Sequence, residues 1–149
     1  MVSKVSVRPA QVFDFGGIAA ILNRVFGRPG TVMPQGPVKA DELSRWMTED
    51  DIWHVAEIEG EIVGAQWIAP RQERGEWEIA TFVPRGDHDI QTGSQLWEAT
   101  HRAARSRAGK RIFAFIHPGN EGAIAYYRSR GFEQGAGMRD GKIVKVFRL

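Results

Sequence analysis

The chain has 149 residues, 20 basic against 18 acidic side chains for a formal net charge of +2, and no cysteine. A chain of that length fits one domain and buries roughly 70% of the surface its unfolded form would expose, so it needs neither disulfides nor a structural metal. The missing thiols exclude a cysteine nucleophile, a thioester acyl-enzyme and Cys-based metal sites. Balanced charge argues against nucleic-acid binding; the lack of an apolar leader, or of an apolar run near the roughly 18 residues that span a bilayer, predicts a cytoplasmic protein with no membrane association.

Lys4 to Arg8 alternates as a half-buried strand ended by Pro9, which has no N–H for a ladder. Val12, Phe15, Ile18, Ala19, Leu22, Val25 and Phe26 recur at helical spacing and predict an amphipathic helix, with Asp14 near its positive end. Gly27 to Pro37 reads as a loop from its glycines and prolines, and a short helix is expected from Ala40 to Met47. Ile52 to Ile58 and Glu61 to Ile68 read as an antiparallel hairpin turning at Glu59-Gly60. Trp77 to Val83 is a third strand, in which alternation puts Trp77, Ile79, Thr81 and Val83 on one face and Glu78, Ala80 and Phe82 on the other. Ser94 to Ala108 carries a helical apolar stripe ended by Gly109. Ile112 to Ile116 is an unbroken apolar run, as expected of a strand covered on both faces. Strand, helix and strand in this order make a right-handed βαβ unit. Ala123 to Arg130 is a last helix, stopped by Gly131, and Phe132 to Gln134 and Ile143 to Phe147 are strands around Asp140-Gly141.

Ligands of open α/β sheets collect beyond the carboxyl ends of parallel strands, where helix N-termini present unpaired N–H groups. Val83 to Ser94 and His117 to Gly122 lie there. In the second region, Asn120-x-x-Ala123-Ile124-x-x-Tyr127-x-x-x-Gly131-Phe132 resembles, at every fixed position, the late motif of the GNAT superfamily of N-acyltransferases. In the first, Val83 precedes Gly93 by the spacing that separates that family's strand valine from the second glycine of its pyrophosphate loop. The order of elements agrees along nearly the whole chain. The resemblance implies an α/β (α+β) fold in a single domain over residues 1–149: a mixed, mostly antiparallel sheet of about six to seven strands with a splayed parallel pair (Trp77 to Val83 and Ile112 to Ile116), flanked by about four helices. It implies an N-acetyltransferase that moves an acetyl group from acetyl-CoA directly onto a primary amine of a small molecule or peptide. A homodimer is common in the family.

Residue roles follow from the same resemblance. His88, Asp89, Ile90, Gln91, Thr92 and Gly93 occupy the six pyrophosphate-loop positions, with Ser94 at the helix entrance; His88 stands where the family has Arg or Gln, and Gln91 where it has its first glycine. Phe82 and Val83 would bond the pantetheine arm through their main chain. Asn120 would contact the cofactor, cap its helix, or do both. Tyr127 would be the general acid for the departing thiolate, since a phenol with a reference pKa near 10 stays protonated at neutral pH. Tyr126 points about a quarter turn away and reads as packing. Neutralising an amine of pKa about 10.4 at pH 7 costs roughly 4.6 kcal/mol, so a base is useful; Glu78 is the first candidate, directly or through water, and His117 the second. His54 and His101 read as structural, and no histidine set has metal-ligand spacing, so no metal is expected. Acceptor choice should lie in Gly27 to Pro37, the helix after it and the hairpin, near Trp46, Trp53 and Trp67, which read equally as core. Arg102, Arg105, Arg107, Lys110 and Arg111 read as a solvated helix face. The altered loop favours a second reading, a catalytically degenerate binding or sensing module of the same fold, which Tyr127 and the intact late motif oppose.

Overall fold

The computed structural model describes residues 4–26, 50–86 and 88–149; the expected loop from Gly27 to Pro37 and helix from Ala40 to Met47 lie outside them. The strands are β1 (Ser6–Pro9), β2 (Ile52–Ile58), β3 (Glu61–Pro70), β4 (Glu76–Phe82), β5 (Arg111–Ile116), β6 (Glu133–Arg139) and β7 (Lys142–Arg148), and the helices among the described residues are α1 (Phe15–Phe26), α2 (Asp89–Ser106) and α3 (Glu121–Ser129). All seven strands form one sheet in the order β1-β2-β3-β4-β5-β7-β6. β4 and β5 run parallel, and the other neighbours are antiparallel. The β4–β5 ladder starts at Glu76↔Arg111 and stops at Ile79↔Ala114, so the two strands part over their carboxyl-terminal halves.

Local chemistry explains the turns. Glu59-Gly60 (φ 53° and 82°) and Asp140-Gly141 (φ 51° and 75°) both take positive φ at two successive residues, the backbone whose twist joins antiparallel strands. Pro9 belongs to β1 instead of following it. β1 is an edge strand, where a missing donor is tolerated.

Alternation along β4 holds and divides the core. α1 packs Ile18, Ala19 and Leu22 on the sheet face that carries Trp53, Val55, Ala65, Trp67 and Phe82. The other face sets Trp77, Ile79, Ile112, Ala114 and Ile116 against Trp97 and Ala104 of α2 and Tyr127 of α3. The first apolar stripe is shorter than its periodicity suggested: Val12, its first member, is 78% exposed, because Val12–Asp14 forms a 3-10 turn before α1. Asp14 is buried there and accepts from both Arg8 guanidinium nitrogens, at 2.7 and 2.8 Å, and from the Gln11 amide at 2.8 Å. It ties β1 to the turn.

α2 and α3 end in the same capping geometry with different residues. After α3, Gly131 (φ 98°) takes the left-handed position, its N–H donating to Arg128 O at 3.1 Å while Phe132 N–H donates to Tyr127 O at 3.0 Å. The Phe132 ring then packs on Tyr127, with centroids 5.0 Å apart. This pair of bonds with its apolar contact is the Schellman motif, and it accounts physically for the spacing from Tyr127 to Gly131-Phe132. After α2 the left-handed residue is Ala108 (φ 56°), not the expected Gly109; Ala108 N–H donates to Arg105 O and Gly109 N–H to Ala104 O. Gly109 has a separate reason to lack a side chain, since a Cβ there would lie 2.8 Å from Ala104 O.

Candidate active site

A cleft of about 730 Å³ opens where β4 and β5 part; Thr81 of β4, Val83 just after it, Gly93 at the start of α2 and Tyr126 and Tyr127 of α3 line it, with Arg85 and Arg130 also on its walls.

Of the residues expected to hold the cofactor, Val83, Asp89, Ile90, Gly93 and Asn120 line this cleft. Asn120 also caps α3, its Oδ1 accepting from Ala123 N at 3.1 Å, the second of the two roles anticipated for it. The remaining positions are placed differently because α2 begins at Asp89, five residues earlier than Ser94, directly after His88. Gln91 is therefore an exposed helical residue and is not among the non-glycine residues with positive φ, which are Glu59, Ala108 and Asp140. Its substitution for glycine carries no backbone strain. Thr92 is 1% exposed; its N–H donates to His88 O at 2.9 Å and its methyl faces Gly64, where a Cβ would approach to 2.8 Å. Thr92 is core, and together with His88 it borders a separate cavity of about 120 Å³. Ser94 Oγ accepts from Arg130 Nη1 at 3.1 Å. The Phe82 ring lies on the opposite sheet face, stacked on Trp53 at 6.1 Å.

The two tyrosines define the chemistry of the cleft. Tyr127 is 4% exposed and its hydroxyl lies 2.8 Å from Thr81 Oγ. Burial raises its pKa well above the ordinary phenol value, and the hydrogen bond with Thr81 opposes that shift. Tyr126, expected only to pack, donates to Gly93 O at 2.7 Å and accepts from Gln66 Nε2 at 3.0 Å; burial pushes it up to about 12. Gly93 is glycine for this contact: a Cβ there would come within 2.9 Å of Tyr126 Cε1. Gln66 is completely buried and donates also to Thr81 Oγ at 2.9 Å. Sequence reasoning overlooked Gln66, and the signal available was an amide at a position that alternation and register place between His54 and Thr81 on a buried face.

Glu78 lies on the other face of the sheet from Tyr127, in register with Phe113 and one residue before the β4–β5 ladder ends. Its Oε1 is 4.0 Å from Arg71 Nη1, and the Arg71 guanidinium covers the Phe113 and Phe115 rings at 5.5 and 4.8 Å. His117 is exposed, its Nδ1 accepting from Gly119 N at 3.0 Å. Trp53 and Trp67 belong to the α1-side core, and Trp67 Nε1 donates to Asp51 at 3.0 Å; Trp46 lies outside the described residues. His101 stacks on Trp97 at 5.2 Å. Arg102, Arg105, Arg107, Lys110 and Arg111 are all exposed, and Arg111 pairs with Glu76 at 2.9 Å. Among the described residues no cluster of three or more His, Cys, Asp or Glu side chains could hold a metal ion, and no helix is long and apolar enough to cross a membrane.

The chain is similar to known proteins. The chain is 28% identical over 137 residues to an L-methionine sulfoximine/L-methionine sulfone acetyltransferase of Pseudomonas paraeruginosa, covering 86% of this chain and 80% of that one. It is 26% identical over 151 residues to a phosphinothricin N-acetyltransferase of Streptomyces viridochromogenes, covering 92% and 81%. Its fold superposes on yncA of Salmonella typhimurium, whose structure includes its cofactor acetyl-CoA, with a TM-score of 0.81 at 19% identity, over 97% of this chain and 93% of that one. The model of the acetyltransferase (GNAT) family matches residues 20–132. With an intact late motif, a parting parallel pair and a buried phenol on the resulting cleft, the chain belongs to the GNAT family of acetyltransferases.

Proposed function

We propose that this enzyme transfers an acetyl group from acetyl-CoA to a primary amine of a small molecule, by direct attack. The observation that carries the reading is Tyr127, a buried phenol on a cleft at the parting of β4 and β5, with Glu78 on the opposite face near that parting. Acetyl-CoA supplies an acyl group activated as a thioester. The residues of the cleft suit such a ligand: the N-terminal turn of α2, an end of a helix that favours anions, borders it through Asp89 and Ile90, and Arg85 and Arg130 supply cations on the cleft where the family's loop cation is replaced by His88. Both offset the charge of Asp89.

Each proton has a candidate carrier. Glu78 takes one from the acceptor ammonium, directly or through water, which frees the nitrogen lone pair for the acyl carbon. Tyr127 gives its hydroxyl proton to the departing sulfur; the O–H bond breaks, the S–H bond forms, and solvent later restores the phenol. Burial raises that phenol's pKa above its ordinary value, so it stays protonated at neutral pH. A positioned acid of this kind contributes on the order of 10²- to 10⁴-fold. A small acceptor is supported by the methionine-derivative and phosphinothricin acetyltransferases among the relatives. Arg71 above Phe113 and Phe115 gives the Glu78 face a cationic and aromatic floor, which suits an amine that also bears an acidic group.

A thermal melt with and without acetyl-CoA tests the reading. At a ligand concentration of about 100 Kd, linkage adds roughly 2.7 kcal/mol and the midpoint should rise by several degrees; no shift at millimolar acetyl-CoA would favour the degenerate module. Tyr127→Phe should bind acetyl-CoA and lose about 10²-fold or more in turnover. Undiminished turnover removes Tyr127 as the acid.

A further inference from the structure

Four side chains beside the cleft form one continuous hydrogen-bonded chain, and its polarity can be deduced. Tyr126 has one hydroxyl hydrogen, and Gly93 O, which can only accept, lies 2.7 Å away. That hydrogen is committed to Gly93. Tyr126 Oη must therefore accept from Gln66, which fixes the amide with Nε2 towards Tyr126 at 3.0 Å. The same nitrogen meets Thr81 Oγ at 2.9 Å, so Thr81 accepts from it. The other amide atom, Gln66 Oε1, is buried with no partner among the described residues. A buried glutamine with an idle oxygen is destabilising, and the commitment of Tyr126 to Gly93 is what imposes it. Having accepted from Gln66, Thr81 has its own hydrogen left; Tyr127 Oη lies 2.8 Å away, while Tyr126 Oη, which also interacts with Thr81, already accepts from Gln66.

We propose that Thr81 and Gln66 are positioning residues for the acid step: Gln66 N–H donates to Thr81, Thr81 O–H donates to Tyr127, and the Tyr127 hydrogen is thereby left free to point into the cleft. The arrangement serves the reaction at two moments. Before transfer it prevents the phenol from spending its proton on Thr81. After transfer it leaves a fixed donor on the phenolate oxygen, one that needs no reorientation as the charge develops. Gly93, at the cofactor loop, sets the direction of the whole chain from its far end. The proposal rests on Tyr127 being the acid, but the hydrogen-bond polarity can be measured apart from it.

The chain contains two tyrosines, and Tyr126 must stay in place because its bond to Gly93 fixes the polarity, so the Tyr127 share of the tyrosine Raman doublet, whose intensity ratio separates an accepting phenol from a donating one, is taken as the part that Tyr127→Phe removes. With Tyr126 and Thr81 present that share should report an accepting oxygen. Thr81→Val should move it towards the non-accepting state, and Thr81→Ser should restore it. A doublet showing a donating phenol with Thr81 present overturns the proposal. With Tyr126 intact, Thr81→Val should lower kcat about tenfold and leave the KM for acetyl-CoA within about twofold, Thr81→Ser should recover most of the loss, and Thr81→Val should add no further loss to Tyr127→Phe. A loss carried by KM, or an equal loss in the Tyr127→Phe background, also overturns it. If Tyr127→Phe alone costs nothing, the acid assignment fails, and the Raman result still decides the polarity of the chain.

Discussion

Gly93→Ala should change sign with the residue at position 126. Gly93 sits within the first turns of α2, without a positive φ, so alanine alone would improve helix propensity by about 1 kcal/mol. Against that, the new Cβ would lie 2.9 Å from Tyr126 Cε1. The ring cannot retreat freely, because its hydroxyl is held by Gly93 O at 2.7 Å and by Gln66 at 3.0 Å. Overpacking of this kind costs about 1–3 kcal/mol. The net expectation is a loss of about 1 kcal/mol in the native background and a gain of about 1 kcal/mol in Tyr126→Ala, a coupling near 2 kcal/mol. For a chain of this size each kcal/mol moves the melting midpoint by about 2–4 °C, so paired melts of the four proteins should show Gly93→Ala lowering the midpoint in one background and raising it in the other. An equal gain in both backgrounds would refute the claim that Tyr126 is what keeps position 93 small.

Two further perturbations read separate parts of the fold. Ala108→Gly should raise stability by about 1 kcal/mol, since a left-handed alanine costs about 1–2 kcal/mol and the capping bonds to Ala104 and Arg105 do not use its side chain; urea unfolding measures this, and destabilisation would show that the methyl contributes more than its backbone costs. His54 is buried with Nδ1 unpartnered among the described residues, and burial, aided by Arg107, depresses its pKa. Below about pH 6.5 the unfolded chain takes up a proton that the folded chain refuses, so stability should fall as pH drops through that value, by at most about 1.4 kcal/mol per pH unit. Melts at pH 7.5 and 5.5 should show a smaller difference in His54→Gln, and an unchanged difference would place the acid sensitivity in another group, His101 being shifted in the same direction.

Features governed by neighbouring residues were legible in the sequence. Two hairpin turns announce themselves through Glu59-Gly60 and Asp140-Gly141, and β5 through its apolar run, because turn dihedrals and strand burial are local or periodic properties. Contacts between distant segments were not legible. Gly93 looks like a phosphate-loop glycine, yet its size is dictated by a ring contributed by α3, and the Gln66–Tyr126 bond joins residues 60 positions apart. The start of α2 was misplaced for a related reason: His88 makes no side-chain capping bond, so no residue marks the boundary. Gly109 next to Ala108 shows the opposite hazard. A glycine after a helix suggests the left-handed position, but a carbonyl close to its α-carbon was the constraint. Glu78 and Tyr127 could both be picked out as candidates, while their placement on opposite sheet faces follows from strand parity together with the packing of α3, which only the assembled fold supplies.

The cap that ends α3 acts as a ruler for the active site. Tyr127 contributes its carbonyl to the bond from Phe132, its ring to the contact with Phe132, and its hydroxyl to Thr81, so the phenol is measured off from Gly131 and not from the beginning of its helix. One residue inserted between Tyr127 and Gly131 would swing the phenol by about 100° around the helix axis and empty the cleft of its proposed acid. One residue inserted between His117 and Asn120 would be taken up in the connection preceding α3 and leave the phenol in place. Length variation should be well tolerated ahead of Asn120 and poorly tolerated after Tyr127, an asymmetry that any redesign of this cleft inherits.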